Sequence, residues 1–362
     1  MEKFAFILHP ISVQDFSRKF GFAKHLPDPV LEGIFKLVPP LKVSHITGVR
    51  SEHNAAEGWF VAVPLTPRQM VSLPTDFVLR RIIQAGRIAE KQGAKIVGLG
   101  AFTSIVGDAG LTVAKNLNIA VTTGNSYTVA TALQGTREAA RIMDVDMVEA
   151  EIVVLGATGS IGSVCSQILA RDAKYMTLVA RDEIKLERLA RQLLSEYGLS
   201  ARIATDVKKA VRQADIVVAV SSAVDALIDA EDLKPGAIVC DVARPRSVSR
   251  AVAEARNDVL VIEGGVVVPP GDVEFNFNFG FPPGMSYACM AETMLLALER
   301  RYENFSLGRE MSVRQIEEIS ALAKKHGFKL AGFRSFERAL TSEHITSVKQ
   351  NAAAKKTQRQ VG

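Results

Sequence analysis

Three cysteines and one glycine loop are the residues of this 362-residue chain whose types and spacing bear most directly on chemistry. Cys289 follows a Pro282-Pro283-Gly284 break and falls in the first turns of a predicted helix. A thiol near a helix N-terminus has a lowered pKa and more of the nucleophilic thiolate. Glu292, three residues on, acts the other way, because a nearby negative charge raises a thiol pKa. The alternative for Cys289 is a core contact for Met285 and Leu296, and the residues alone leave both open. Cys165, beside Val164, Ile168 and Leu169, and Cys240, inside a strand, read as small buried hydrophobes. An odd count without metal-ligand spacing gives neither a disulfide framework nor a metal site, and a reducing cytoplasm fits best. The six histidines (His9, His25, His45, His53, His326 and His344) are scattered and read as surface or core residues, with no Ser-His-Asp order among them.

The glycine loop is Gly156-x-x-Gly159-x-x-Gly162, between the apolar run Ile152–Leu155 and a predicted helix. A strand, then spaced glycines, then a helix is the context in which such a loop binds a dinucleotide pyrophosphate. Gly156 permits the tight turn, Gly159 lets the backbone approach the phosphates and Gly162 lets helix pack on strand. The helix start, with Thr158, Ser160 and Ile161, supplies free N–H groups and a positive dipole end. The alternative is a structural turn in a sheet that binds nothing. The next strand ends at Arg181, where an NAD-preferring site usually has Asp or Glu for the ribose hydroxyl. A guanidinium there pairs with a 2′-phosphate instead, which predicts NADPH, with Thr158 as a second contact. The bland reading of Arg181 is a surface helix-cap residue beside Asp182, which itself could still read a hydroxyl. Ser221, closing a later strand, and Gly265, closing the last, are placed beside the cofactor ribose and nicotinamide.

Helices alternating with short Val- and Ile-rich strands predict an α/β chain. The expected layout is an N-terminal α/β substrate domain (residues 1–128) and a doubly wound parallel Rossmann domain (129–268). A loop with a C-terminal helical extension carrying Cys289 (269–350) and a flexible polar tail (351–362) follow. In the first domain two strands end in polar, glycine-bearing segments, one with Phe102, Thr103 and Ser104, the other with Thr123, Gly124 and Asn125. Ligands collect at the carboxyl ends of strands in such sheets, so these are the candidate substrate contacts. Phe275, Phe277, Phe279 and Phe281 alternate, as they would on one face of a strand or along an apolar channel. Hydrophobic content of 48% and charged content of 23% are ordinary for globular proteins. The net charge of +5 suits an acidic substrate or carrier. Sparse aromatics (6%) and the lack of a dense basic run argue against nucleic acid, and no apolar run reaches membrane-spanning length.

Beyond the glycine loop, the segments Gly98–Val106, Thr122–Thr128, Val154–Ser163, Gly264–Val267, Ala288–Leu296, Asn304–Arg309 and His326–Phe328 recur in order in a known family. Over roughly residues 58 to 330 the chain resembles the long-chain fatty acyl–acyl carrier protein reductases of cyanobacteria, and it fits a non-cyanobacterial relative. The resemblance implies that Cys289 attacks an acyl thioester and holds the fatty chain as an acyl-enzyme, which NADPH reduces to a fatty aldehyde. It also implies an acyl donor, acyl carrier protein or CoA, and by analogy a downstream aldehyde-consuming enzyme. The N-terminal fifty residues, the short Gly265–Cys289 segment and Asp241-Val-Ala-Arg-Pro depart from the family pattern. The competing readings are a shikimate-type or other small-substrate dehydrogenase, which needs no nucleophilic cysteine, and a non-catalytic NADP sensor.

Overall fold

The computed structural model describes residues 1–10, 27–221, 226–243, 246–279, 282–336 and 338–361; His25, Ser222, Ala223, Arg244, Pro245 and Phe281 lie outside them. The chain forms two compact units. The first comprises Met1–Tyr127, Val267–Glu310 and Glu317–Lys329; the second comprises Thr128–Val266, Met311–Ile316 and Leu330–Gly362.

The first unit is built on a five-stranded sheet of β1 (Glu2–Leu8), β2 (Leu41–Arg50), β3 (Ala55–Ala62), β4 (Ile96–Leu99) and β5 (Ala120–Thr122), in the order β2-β3-β1-β4-β5. β2 runs antiparallel to β3 and the remaining pairs are parallel. Strand residues alternate between faces. One set, Ala5, Ile7, Val61, Val97 and Leu99, packs on Val78, Ile82, Ala85 and Ala89 of the helix Thr75–Lys91, whose apolar spacing gives it one buried stripe. The other set faces the helix Ala288–Leu298. A Cβ on Gly98 would sit 2.0 Å from Thr293 Oγ1, so a glycine in β4 is what lets this helix lie directly on the strand. Met290 through Leu298 are all buried, and Cys289 is the one half-exposed residue of the helix.

The second unit is a six-stranded, wholly parallel sheet of β6 (Glu151–Leu155), β7 (Tyr175–Val179), β8 (Arg202–Ala204), β9 (Ile216–Ala219), β10 (Ile238–Asp241) and β11 (Leu260–Glu263). Its order, β11-β10-β9-β6-β7-β8, is the doubly wound Rossmann order, with the direction of winding reversing between β6 and β9. Ile152 and Val154 pack into one core and Val153 and Leu155 into another, so the near-continuous apolar runs follow from burial on both faces.

One sequence expectation needs correcting. Residues 351–361 continue the helix Ser342–Val361 rather than forming a frayed tail. Ala352 is buried, and Lys355 Nζ lies 2.8 Å from Asp258 Oδ1. These anchors order a segment whose composition carries no helical stripe. Among the described residues no helix is long and apolar enough to cross a membrane.

Candidate active site

The glycine loop holds the geometry its spacing predicts. Gly156 has φ +85° and comes so close to the end of β9 that a Cβ would lie 2.9 Å from the Ser221 nitrogen. A Cβ on Gly162 would meet the Gly156 carbonyl oxygen at 2.2 Å, which forces glycine where the helix Ser160–Leu169 crosses the turn. Gly159 is the helix N-cap and offers no side-chain oxygen, so the first helical N–H groups, around Ser160 and Ile161, have no side-chain cap and point to an external acceptor. Thr158 is half-buried beside them. This cradle, at the reversal of sheet winding, fits a dinucleotide pyrophosphate.

Arg181 is exposed and has no ion-pair partner among the described residues. Asp182 is the N-cap of the helix Glu183–Tyr197, and its side chain accepts from the Lys185 N–H. The carboxylate that could have read a ribose hydroxyl is therefore engaged as a cap, and the adjacent guanidinium is left available. Ser221 lies two residues past the end of β9, and Gly265 two residues past the end of β11 with φ +83°. At the preceding Gly264 a Cβ would fall 2.8 Å from Val242 Cγ2.

In the first unit, Cys289 is the second residue of the helix Ala288–Leu298. Cys165 and Cys240 are fully buried in the second unit's core, and burial pushes the Cys165 thiol far up. The turn after β5 packs straight onto Cys289. Gly124 has φ +73°, and a Cβ there would lie 2.3 Å from Cys289 Cα and 2.4 Å from its Cβ. The helix Asn125–Ile142 starts at this turn, so two helix N-termini, each with its positive dipole end, meet at Cys289. Thr123 is buried and its hydroxyl donates to the Ser306 carbonyl; Asn125 is half-buried.

The turn after β4 is built differently. Phe102, Thr103 and Ser104 form a short 3-10 turn and are all buried. Thr103 Oγ1 donates to the Gly100 carbonyl and Ser104 Oγ to the Ala101 carbonyl, so both hydroxyl protons hold the turn itself. The Phe102 N–H donates to His9 Nε2. Phe275, Phe277 and Phe279 gather on the core ring of Phe60, with centroids 5.6 to 6.2 Å away. They do so without making a strand: one bridge, Thr47 to Glu274, pairs this stretch, and Asn276 takes φ +48°.

Two clusters were beyond sequence reasoning. Glu292 is wholly buried, and burial pushes its carboxyl up against several donors. Thr122 Oγ1 (2.5 Å) and Ser306 Oγ (2.8 Å) donate to Oε1, and the Tyr127 N–H (2.7 Å) donates to Oε2. Ser306 arrives because Asn304 and Phe305 pair with Val121 along the edge of β5. The second cluster is Ser51, His326 and Glu299: Ser51 Oγ lies 2.9 Å from His326 Nδ1, and His326 Nε2 lies 2.8 Å from Glu299 Oε2. It has the composition of a hydrolytic triad. However, Ser51 Oγ also accepts the N–H groups of His53 and Asn54, which makes it the anchor of the β2–β3 turn rather than a nucleophile. Among the described residues no group of three or more His, Cys, Asp or Glu side chains could hold a metal ion.

Comparison with known proteins follows the same division. A family model for shikimate/quinate 5-dehydrogenase matches residues 137–263, the nucleotide-binding part. The chain is 28% identical over 343 residues to a long-chain acyl-[acyl-carrier-protein] reductase of Synechococcus elongatus, covering 90% of this chain and 98% of the reductase. It is 29% identical over 361 residues to the aminotransferase PigE of a Serratia species, covering 96% of this chain but spanning only 42% of PigE. A solved L-tryptophan dehydrogenase from Nostoc punctiforme aligns over 98% of this chain and 89% of its own at 12% identity, with a TM-score of 0.42. The second unit is an NADP(H)-binding Rossmann unit, and the similarities support an oxidoreductase.

Proposed function

We propose that the protein reduces a long-chain acyl thioester, carried by acyl carrier protein or CoA, to a fatty aldehyde with NADPH, through an acyl-enzyme on Cys289. The observation that carries this reading is the half-exposed thiol at the second position of a helix, with the N-terminal turn of another helix packed on it. The similarity to the Synechococcus acyl-[acyl-carrier-protein] reductase over nearly its whole length supports the same chemistry.

Helix N-termini favour the thiolate, which is the nucleophile. Its sulfur forms a bond to the thioester carbonyl carbon, and the carrier thiol leaves with a proton. Covalent transfer replaces one difficult step by two easier ones. The developing oxyanion needs donors in both steps, and the backbone N–H groups at the start of the cysteine helix and at the Thr123–Asn125 turn are the candidates. Phe102, Thr103 and Ser104 are further candidate substrate contacts. When bound, NADPH supplies the hydride that converts the acyl group to aldehyde, with the cysteine thiolate as leaving group. Gly156, Thr158, Gly159, Ser160, Ile161 and Gly162 would hold its pyrophosphate, Arg181 its 2′-phosphate, and Ser221 and Gly265 would flank its ribose and nicotinamide. A downstream aldehyde-consuming enzyme is the partner this product calls for.

A small-substrate dehydrogenase is the second reading, favoured by the shikimate/quinate model match, which stops at residue 263 and so leaves Cys289 outside it. Product analysis separates the two. Purified protein with acyl-CoA or acyl carrier protein and NADPH should yield fatty aldehyde with one NADPH consumed per aldehyde. NADPH oxidation by ketone substrates of the dehydroshikimate type, with no aldehyde from any acyl thioester, would favour the second reading.

A further inference from the structure

Gly124 and Glu292 solve one problem between them. The backbone around Gly124 presses on Cys289, and the 2.3 Å approach to Cys289 Cα leaves no room for any side chain. Yet Gly124 precedes the helix Asn125–Ile142, where Ser, Thr, Asp or Asn would normally cap the first N–H groups. The missing cap comes from the cysteine helix itself. Glu292 accepts the Tyr127 N–H at 2.7 Å, and the Gly124 N–H also contributes to it. Thr122 Oγ1 and Ser306 Oγ fill the other carboxyl oxygen, and Ser126 Oγ lies 2.6 Å from Ser306 Oγ. Glu292 is fully buried, and among the described residues no lysine or arginine pairs with it. Its carboxyl faces the helix N-terminus and the ring of donors. The titratable groups beside it are Cys289, one helical turn away, and Tyr127, whose hydroxyl is pushed up by burial.

We propose that Glu292 is a positioning residue of the cysteine site: by capping the Asn125–Ile142 helix from within the cysteine helix, it locks the Gly124 turn, and the helix end behind it, onto Cys289. This rests on Cys289 being the reactive thiol, so the test reads the thiol itself, without a thioester. The rate of Cys289 alkylation by iodoacetamide is followed against pH in the full chain, in Glu292→Gln and in Glu292→Ala. NADPH binding and circular dichroism serve as fold checks. Both substitutions remove the carboxyl, so their difference isolates the cap. In Gln the amide oxygen can still accept the Tyr127 N–H, while the Thr122 and Ser306 hydroxyls turn to accept from the amide nitrogen.

The Gln protein should titrate at or below the wild-type midpoint. The folded Ala protein should titrate about one pH unit above Gln, because the helix end leaves the thiol, and should alkylate about tenfold more slowly at neutral pH. Coinciding midpoints for folded Gln and Ala proteins would overturn the proposal. If the Ala protein does not fold, Glu292→Met keeps the side-chain volume without the acceptor, and an alkylation midpoint coinciding with that of the Gln protein would overturn it equally. A wild-type chain that alkylates normally but never takes an acyl group would defeat the acyl-thioester reading and leave the positioning claim to the midpoints.

Discussion

The turn after β6 and the turn after β5 are both strand, glycine turn and helix, yet their helix starts are treated in opposite ways. After β6, Gly159 leaves the helix start without a side-chain cap, which is what an external phosphate requires. After β5, Gly124 leaves the helix start equally bare, but the protein fills it with the buried Glu292 carboxylate and sets the turn on a cysteine. One helix end is left without a side-chain cap and the other is capped by a carboxyl from the helix that carries Cys289. A glycine before a helix therefore does not announce a ligand; what meets the orphan N–H groups decides its role.

The comparison breaks cleanly if each turn is damaged alone. Gly124→Val puts a branched side chain where even a Cβ would lie 2.3 Å from backbone, at φ +73°. Acylation of Cys289 should fall about a hundredfold or more, since a misplacement costing roughly 3 kcal/mol is worth that factor. NADPH affinity should be kept. Gly162→Val, whose Cβ would meet the Gly156 carbonyl at 2.2 Å, should do the reverse: NADPH binding lost, acylation from acyl-CoA retained. Stopped-flow acylation and NADPH fluorescence titration of both proteins check the pair. A variant that loses both functions while folded would contradict the division of labour.

A smaller effect is expected at Arg181. Its replacement by Ala removes one charge-assisted contact, worth roughly 1.5–3 kcal/mol, so NADPH should bind about 10- to 150-fold more weakly with NADH unchanged. Equal losses for the two cofactors would mean that Arg181 does not read the 2′-phosphate.

These contrasts also explain what the sequence could and could not say. The glycine loop and the parallel strands of the second unit are legible because strand, turn and helix are contiguous and the strands are buried on both faces. The cysteine site joins Thr122–Tyr127, Cys289–Glu292 and Ser306, three segments spread over about half the chain, and local pattern does not encode such a meeting. Glu292 shows the consequence. Its charge beside Cys289 suggests an obstacle to the thiolate, whereas its fold partners make it the cap of a neighbouring helix. Thr103 and Ser104 look like free hydroxyls at a strand end, but their protons hold their own turn. β2 lacks an apolar run because it is an edge strand with only Ile46 and Val49 fully buried.

The smallest effect is expected at the C-terminal helix. Burial raises the Asp258 carboxyl, but hydrogen bonds and charges from Arg256 and Lys355 outweigh it and hold it at about 2. A depressed folded pKa stabilises the fold above the ordinary carboxylate range, and that contribution disappears as pH falls toward 2. Lys355→Ala should therefore cost up to about 1 kcal/mol at pH 7, discounted because the lysine is partly exposed, and almost nothing near pH 2. Thermal melts at the two pH values check this. An equal loss at both would assign the effect to helix packing instead.

The role of Cys289 is tested most directly by the intact mass of the protein after incubation with a long-chain acyl-CoA in the absence of NADPH. The wild type, Cys165→Ser and Cys240→Ser should each gain one fatty-acyl mass, discharged as aldehyde when NADPH is added. Cys289→Ser should gain none and make no aldehyde, while binding NADPH as the wild type does. A Cys289→Ser protein that still forms aldehyde at a near-normal rate would contradict the covalent mechanism.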